Sequence, residues 1–316
     1  MKAFALTSLE GPAGLVDLPD PDVPAGYVRI RVKAASVNGF DVYQASGGLT
    51  GMMEHELPTI VGRDFAGVVD AVGDGRTDVA VGDEVLGFIQ SIVPLHVGTY
   101  AELVAEGPRL VIARKPASLS FEVAAAIPLA GATALNALDA LDPKAGDTVL
   151  VSGATGGVGS FAVQLAVARG ATVIATARDG DEAAFVRSLG AADTIDYAAG
   201  DVAEAIHARF ADGINSLIDT VNRDDAFGRL AALVHAGGRI ATTLGAADVE
   251  SLAGRGVRAT NIFGDPTPDN LAALAGQVAD GSLTVELQRT FPLAEAPAAL
   301  AAFSAGTLGK IVLVVG

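Results

Sequence analysis

The chain has 316 residues, half of them hydrophobic and 18% charged, with a formal net charge of −16 and a pI near 4.5. A length beyond about 250–300 residues exceeds what one hydrophobic core organises, so two domains are expected, and the acidic balance argues against nucleic acid or an anionic membrane as a partner. With no cysteine, disulfides, thiolate catalysis and cysteine-bound zinc are excluded, which is compatible with a reducing cytoplasm.

The opening apolar run, Ala3 to Leu6, is too short for a signal peptide. The first 120 or so residues read as β-rich, with Val/Ile runs at Tyr27–Lys33, Ala66–Val72 and Glu84–Phe88 punctuated by Gly73-Asp74-Gly75 and Val81-Gly82-Asp83. Near Phe121 the texture changes to alternating strands and helices. Strands are expected at Thr148–Ser152, Thr172–Thr176, Thr194–Asp196, Ile214–Asp219 and Arg239–Thr243. Helices are expected at Gly157–Arg169, Glu182–Leu189, Val202–Phe210 and Ala226–Val234. The uncharged stretch Thr148–Ala168 is long enough for a membrane span, but its four glycines at 153, 156, 157 and 159 favour strand, turn and helix. Regular β–α alternation implies an α/β fold with a doubly wound parallel sheet. Two helices, Asn270–Asp280 and Ala296–Ala305, precede a final strand, Lys310–Val315, which has no partner in the parallel sheet and is expected to return to the first domain.

Strand Thr148–Ser152 runs into Gly153-Ala154-Thr155-Gly156-Gly157-Val158-Gly159, and a helix follows at once. In that context a glycine turn binds a diphosphate. Gly156 removes a Cβ from the phosphate's path, Gly159 lets helix and strand pack closely, and the helix start offers free N–H groups and partial positive charge. Thr155, Gly156, Gly157, Val158 and Gly159 are therefore candidate cofactor-binding residues. An NAD site places Asp or Glu at the end of the second strand; here that strand ends Ala175-Thr176-Ala177-Arg178. A guanidinium suits a 2′-phosphate, so NADPH is expected over NADH. Asp179 or Asp181 could still reach a ribose if the strand ends later, and Arg178 could be a solvated loop charge.

The ordered set Ala35-Ser36-Val37-Asn38 through Asp41 and Tyr43, Val61-Gly62-Arg63-Asp64-Phe65-Ala66-Gly67, Val81-Gly82-Asp83-Glu84-Val85, Gly98-Thr99-Tyr100-Ala101-Glu102, the glycine turn, Gly237-Gly238-Arg239 and Gly309-Lys310-Ile311-Val312-Leu313 resembles the zinc-free quinone oxidoreductase branch of the medium-chain dehydrogenase/reductase superfamily. The resemblance covers nearly the whole chain. It implies a discontinuous β-rich GroES-like catalytic domain (1–122 and 265–316), a Rossmann domain (123–264), a cleft holding the nicotinamide, and a homodimer; a cytoplasmic location is expected alongside it. It also implies roles. Asn38 would lie beside nicotinamide and substrate, and Asp41 and Tyr43 would form the segment whose Tyr lines the substrate pocket. Thr133 would sit near the nicotinamide ring, Tyr197 near the adenosine phosphate, Leu244, Gly245 and Phe263 along the nicotinamide side, and Lys310 near the cofactor. Each has a plainer reading: Asp41 as a cap, Tyr43 as packing, Thr133 as a helix residue bonding its own backbone, and Lys310 as a strand-edge charge.

The four histidines, 55, 96, 207 and 235, show no ligand spacing, and the zinc-binding Gly-His-Glu element reads Gly62-Arg63-Asp64, so no metal is expected. His55, His96 and His207 read as exposed loop residues. Without a metal, reducing an activated C=C or a quinone needs the least help, because the substrate's own carbonyl takes the developing charge. Asn38 or Tyr43 could bond that oxygen, and the proton could come from Tyr43 or water. Ser152 has neither a nucleophile setting nor an activating His. The expected activity is NADPH-dependent reduction of a small quinone or α,β-unsaturated carbonyl. The alternatives are an enoyl-thioester reductase and a cofactor-binding protein with little turnover. The loops 45–56 and 89–97 are expected to frame the substrate pocket.

Overall fold

The computed structural model describes all 316 residues. They form two compact units, Met1–Ala132 with Asp265–Gly316, and Thr133–Gly264.

The first unit opens with β1 (Lys2–Leu6), β2 (Gly14–Asp17) and β3 (Val28–Ser36), followed by helix α1 (Gly39–Ala45). Strands β4 (Thr59–Ile60), β5 (Asp64–Val72), β6 (Glu84–Ile89), β7 (Leu103–Glu106) and β8 (Leu110–Arg114) come next, then α2 (Phe121–Ala125) and the start of α3 (Pro128–Leu141), which runs on into the second unit from Thr133. β3 shows the alternation that builds such a sheet: Val28, Ile30 and Val32 are buried, while Arg29, Arg31 and Lys33 turn outward. Arg29 and Arg31 both pair with Asp70 on the neighbouring β5, each at 2.7 Å.

The second unit is the alternating half: β9 (Thr148–Ser152), α4 (Gly157–Ala168), β10 (Thr172–Thr176), α5 (Asp181–Ser188), β11 (Asp193–Ile195), α6 (Val202–Arg209), β12 (Ile214–Asp219), α7 (Asp224–Ala232), β13 (Val234–Thr242), α8 (Val249–Gly254) and β14 (Arg258–Asn261). The six strands are all parallel in the order β11-β10-β9-β12-β13-β14. That order reverses between β9 and β12, and ligands of open α/β sheets gather at the carboxyl ends of the strands at such a point. β9 is buried along most of its length, as its unbroken Val149-Leu150-Val151 run requires of a strand covered on both faces. The stretch weighed as a membrane span is thus β9, a turn and α4, and no helix is long and apolar enough to cross a membrane.

Most expected elements lie within one or two residues of their observed bounds, and the differences around β13 have a structural cause. The helix expected over 226–234 is α7 at Asp224–Ala232, and the strand expected from Arg239 is the second half of β13, which starts at Val234. The register between β12 and β13 shifts between Ile214 and Ser216. Gly237 (φ +88) and Gly238 form this irregularity inside the strand; a Cβ on Gly238 would lie 2.6 Å from the Asn215 carbonyl.

The chain then returns to the first unit through α9 (Pro268–Ala279), β15 (Leu287–Pro292), α10 (Ala296–Ser304) and β16 (Lys310–Val314). β16 pairs antiparallel with β3, Val312 opposite Ser36 and Val314 opposite Ala34, completing a seven-stranded sheet. The final strand therefore rejoins the first sheet. Phe65, Val28 and Ile30 share one core with Ile311 and Leu313, and Leu150, Ile174, Leu217 and Ile240 share another.

Candidate functional site

In the second unit, the expected cofactor residues other than Thr133 follow the carboxyl ends of parallel strands. The turn 153–159 follows β9 and Arg178 follows β10. Tyr197 follows β11, Leu244 and Gly245 follow β13, and Phe263 follows β14. Gly153 adopts φ +79, and its N–H donates to Thr176 Oγ1 at 3.0 Å. A Cβ on Gly159 would meet Gly153 O at 2.1 Å and Ala154 Cα at 2.6 Å, so only glycine lets α4 start this close to the turn. Thr155, Gly156, Gly157 and Val158 are partly exposed. Gly156 caps α4 in an extended conformation (φ −74, ψ 175) with no side-chain cap, as is also true of the starts of α5, α7 and α10. The first-turn N–H groups of α4 therefore have no side-chain acceptor, and the turn of glycines before them leaves room for a diphosphate to reach them.

Arg178 is engaged. Its Nε donates to Glu182 Oε1 at 2.7 Å, its Nη2 lies 2.5 Å from the same oxygen, and its backbone N–H donates to Glu182 Oε2 at 2.8 Å. Tyr197 donates its hydroxyl to Glu182 Oε1 at 3.2 Å, and the guanidinium sits 6.0 Å from the Tyr197 ring centroid. The fold thus brings the expected pair Arg178 and Tyr197 together, through a glutamate that the sequence reading treated only as the start of a helix. Asp179 and Asp181 are not part of this triad; the Asp179 N–H donates to Asp196. Leu244 is partly buried, its N–H 3.4 Å from Thr242 Oγ1, and Gly245 adopts φ +69. Phe263 is 77% exposed. Thr133, on α3, is buried. A further network, unforeseen from sequence, braces the turn: Asn222 Nδ2 donates to Ser152 Oγ at 2.8 Å and to Asp219 Oδ2 at 2.7 Å.

The first unit carries a buried polar cluster around Asn38. Lys310 Nζ donates to Asn38 Oδ1 at 2.6 Å and to the Val37 carbonyl at 3.1 Å. Asn38 Nδ2 donates to Asp64 Oδ2 at 2.9 Å. Ser36 Oγ and the Leu129 N–H also donate to Asp64, at 2.7 and 3.0 Å. The strand register explains the meeting: with Val312 opposite Ser36, Lys310 stands beside Asn38 just beyond the end of β3. Asp41 accepts the Asn38 N–H at 2.9 Å, holding the start of α1, and Tyr100 donates to the same carboxylate at 3.2 Å. Asp41 is fully enclosed, and its Oδ1 has no partner. Tyr43 is 48% exposed and touches Met52 Sδ at 3.7 Å.

Burial, together with repulsion from Asp64, pushes the Asp41 carboxyl up to about 7 against the pull of Arg63, the Asn38 N–H and Lys310. Burial likewise raises Asp64 although Lys310, Ser36, Asn38 and Leu129 oppose it, and lowers Lys310 although both carboxylates oppose that. Arg63 lies just ahead of β5. Its guanidinium is buried, lies 5.0 Å from the Phe40 ring centroid and donates to Gln44 Oε1 and the Val97 carbonyl; burial brings its pKa down to about 10. No group of three or more His, Cys, Asp or Glu side chains is placed to hold a metal ion. His55 and His96 are half-buried rather than exposed, while His207 is exposed but lies on α6 rather than in a loop. The loops 45–56 and 89–97 pair with each other: Glu56 N–H donates to the Leu95 carbonyl at 2.9 Å and Leu95 N–H to that of Glu54 at 2.8 Å.

Comparison with known proteins finds two family matches and several similar structures. Residues 24–108 match the alcohol dehydrogenase GroES-like domain, and residues 157–253 match the zinc-binding dehydrogenase family. The quinone oxidoreductase of Coxiella burnetii superposes with a TM-score of 0.90 at 33% identity over 100% of this chain and 99% of that one. The mycobacterial protein Rv1454c, solved with NADPH, superposes with a TM-score of 0.83 at 29% identity, over 99% of each chain. A chloroplastic NADPH-dependent alkenal/one oxidoreductase from Arabidopsis thaliana is 37% identical over 181 residues, 56% of this chain and 46% of that protein. The matched region spans about half the length of such curated relatives.

Proposed function

Since the chain belongs to the zinc-free quinone oxidoreductase branch of the medium-chain dehydrogenase/reductase superfamily, we propose that it reduces small quinones or α,β-unsaturated carbonyls with NADPH, as a cytoplasmic homodimer. The observation that carries this reading is the uncapped start of α4 behind a glycine turn, at the strand-order reversal of a Rossmann sheet. The N–H groups of Gly157, Val158 and Gly159 hold the diphosphate, with Thr155 and Gly156 shaping the turn. Arg178 and Tyr197 face the adenosine phosphate. Thr133, Leu244, Gly245 and Phe263 line the nicotinamide side. NADPH, when bound, supplies the hydride.

In the first unit Asn38 is the residue that meets the reacting groups. Its amide is fixed by Lys310 and Asp64, so it presents a set dipole without rearranging during the reaction. Asp41 acts through Asn38 as a positioning residue, because it is enclosed and bonds the Asn38 backbone. Lys310 serves the same end from the other side; it works beneath Asn38 rather than against the cofactor. Tyr43, exposed on α1, lines the substrate and bonds the oxygen on which charge develops, and Tyr43 or water returns the proton.

The test is direct. Purified protein is mixed with NADPH and a panel of quinones, enones and enoyl thioesters, and nicotinamide absorbance is followed. Turnover of quinones or enones is expected. Turnover of enoyl thioesters alone transfers the reading to acyl chemistry, and tight NADPH binding without turnover of any substrate refutes an enzymatic role.

A further inference from the structure

The adenosine end of the candidate site carries no net positive charge. Glu182 engages the Nε and Nη2 edge of Arg178 and also accepts from the Arg178 backbone and the Tyr197 hydroxyl. The Glu182 side chain is only 11% exposed while that of Arg178 is 60% exposed. The carboxylate is therefore the fixed member of the pair and the guanidinium the outward one. Burial by itself would raise the Glu182 carboxyl, but the Arg178 N–H, the guanidinium and Tyr197 hold it below the usual glutamate range, so it stays ionised at neutral pH.

We propose that Glu182 sets this protein's choice between NADPH and NADH: as a permanent negative charge beside Arg178, it orients the guanidinium and at the same time weakens its hold on a 2′-phosphate. This rests on the reading above that Arg178 faces that phosphate. A doubly charged phosphate approaching Arg178 also approaches Glu182, and the carboxylate offsets part of the guanidinium's attraction. A ribose 2′-hydroxyl carries no such penalty and can donate to a carboxylate. The wild-type preference for NADPH is accordingly narrow, and it widens when the charge at position 182 is removed while an acceptor is kept.

The experiment measures equilibrium binding of NADPH, NADH and 2′,5′-ADP, by calorimetry or nucleotide fluorescence, to wild type, Glu182→Gln, Arg178→Ala and the double variant. Glu182→Gln keeps one oxygen for Arg178 and Tyr197; Glu182→Ser repeats the measurement with the longer side chain removed, and thermal unfolding checks that both are folded. Glu182→Gln is expected to raise the NADH-to-NADPH ratio of Kd values about five- to tenfold, almost wholly through tighter NADPH and 2′,5′-ADP binding. The double variant is expected to bind NADPH and 2′,5′-ADP more tightly than Arg178→Ala, because the carboxylate repels the phosphate with or without the guanidinium. A ratio that stays within about twofold of wild type or falls in Glu182→Gln, with Arg178→Ala still selectively weakening NADPH, overturns the role of Glu182 alone. Equal losses of NADPH and NADH in Arg178→Ala, or no nucleotide binding by any of the four proteins, overturn the placement of the phosphate and the proposal with it.

Discussion

Replacing Lys310 with methionine keeps the length of the side chain but removes its charge from the middle of the cluster beneath Asn38. The ammonium is buried, donates to Asn38 Oδ1 at 2.6 Å and to the Val37 carbonyl at 3.1 Å, and faces two enclosed carboxylates, Asp41 and Asp64. Methionine leaves both oxygens without that donor and the carboxylates with less compensating charge. Breaking one side of a buried charge pair costs about 3–5 kcal/mol, a large share of the roughly 5–15 kcal/mol that holds a protein folded. The assay is a double-mutant cycle in urea unfolding with Asp64→Asn. Because the double variant removes a positive and a negative charge together, its loss should fall short of the sum of the two single losses by about 2 kcal/mol. A loss under about 1 kcal/mol for Lys310→Met, or strict additivity in the cycle, would refute the view that these charges are mutually dependent.

Further outcomes follow from the same coordinates. Asp41 is raised to about 7 when folded, against an ordinary value of 3.8, so the native state binds a proton more readily than the unfolded chain. Its contribution is fully present below pH 3.8 and is lost as the pH rises through about 7; Asp41→Asn should gain stability relative to wild type across that window, up to roughly 4 kcal/mol. A stability difference that stays flat between pH 4 and 8 contradicts this. Gly159→Ala drives a Cβ to 2.1 Å from the Gly153 carbonyl. It should cost about 1–3 kcal/mol and weaken NADPH binding more than tenfold; unchanged NADPH titration would show that the turn is not the phosphate cradle. Arg178→Ala should weaken NADPH much more than NADH.

The second unit was the more legible. β9 and β10 are located to the residue because a strand buried on both faces carries a continuous apolar run, Val149-Leu150-Val151 in one and Val173-Ile174-Ala175 in the other, and the glycine turn marks where β9 ends. Gly237 and Gly238 misled the reading: glycines inside a strand can mark a bulge as well as an end, and only the partner strand tells which. In the first unit, α1 escaped because seven residues with Asp41 and Gln44 buried show no apolar periodicity. Asn38, Asp41 and Lys310 were each singled out, yet their meeting was not foreseen. Lys310 and Asn38 are 272 residues apart, and their contact depends on a β3–β16 register that no local pattern encodes. Glu182 was invisible for another reason: an acidic residue in a helix's first turn is ordinary, and only the fold shows it gripping Arg178.

The central claim is that hydride passes to an activated double bond from the nicotinamide of a cofactor whose diphosphate is held at the turn after β9. It is tested most directly by incubating the protein with NADPH deuterated at C4, in both stereochemical forms, and but-3-en-2-one, and reading the product by mass spectrometry and NMR. The account predicts one deuterium at the β-carbon of butan-2-one from one of the two forms. Deuterium retained in the oxidised nucleotide from both, or butan-2-one formed without label from either, would contradict it.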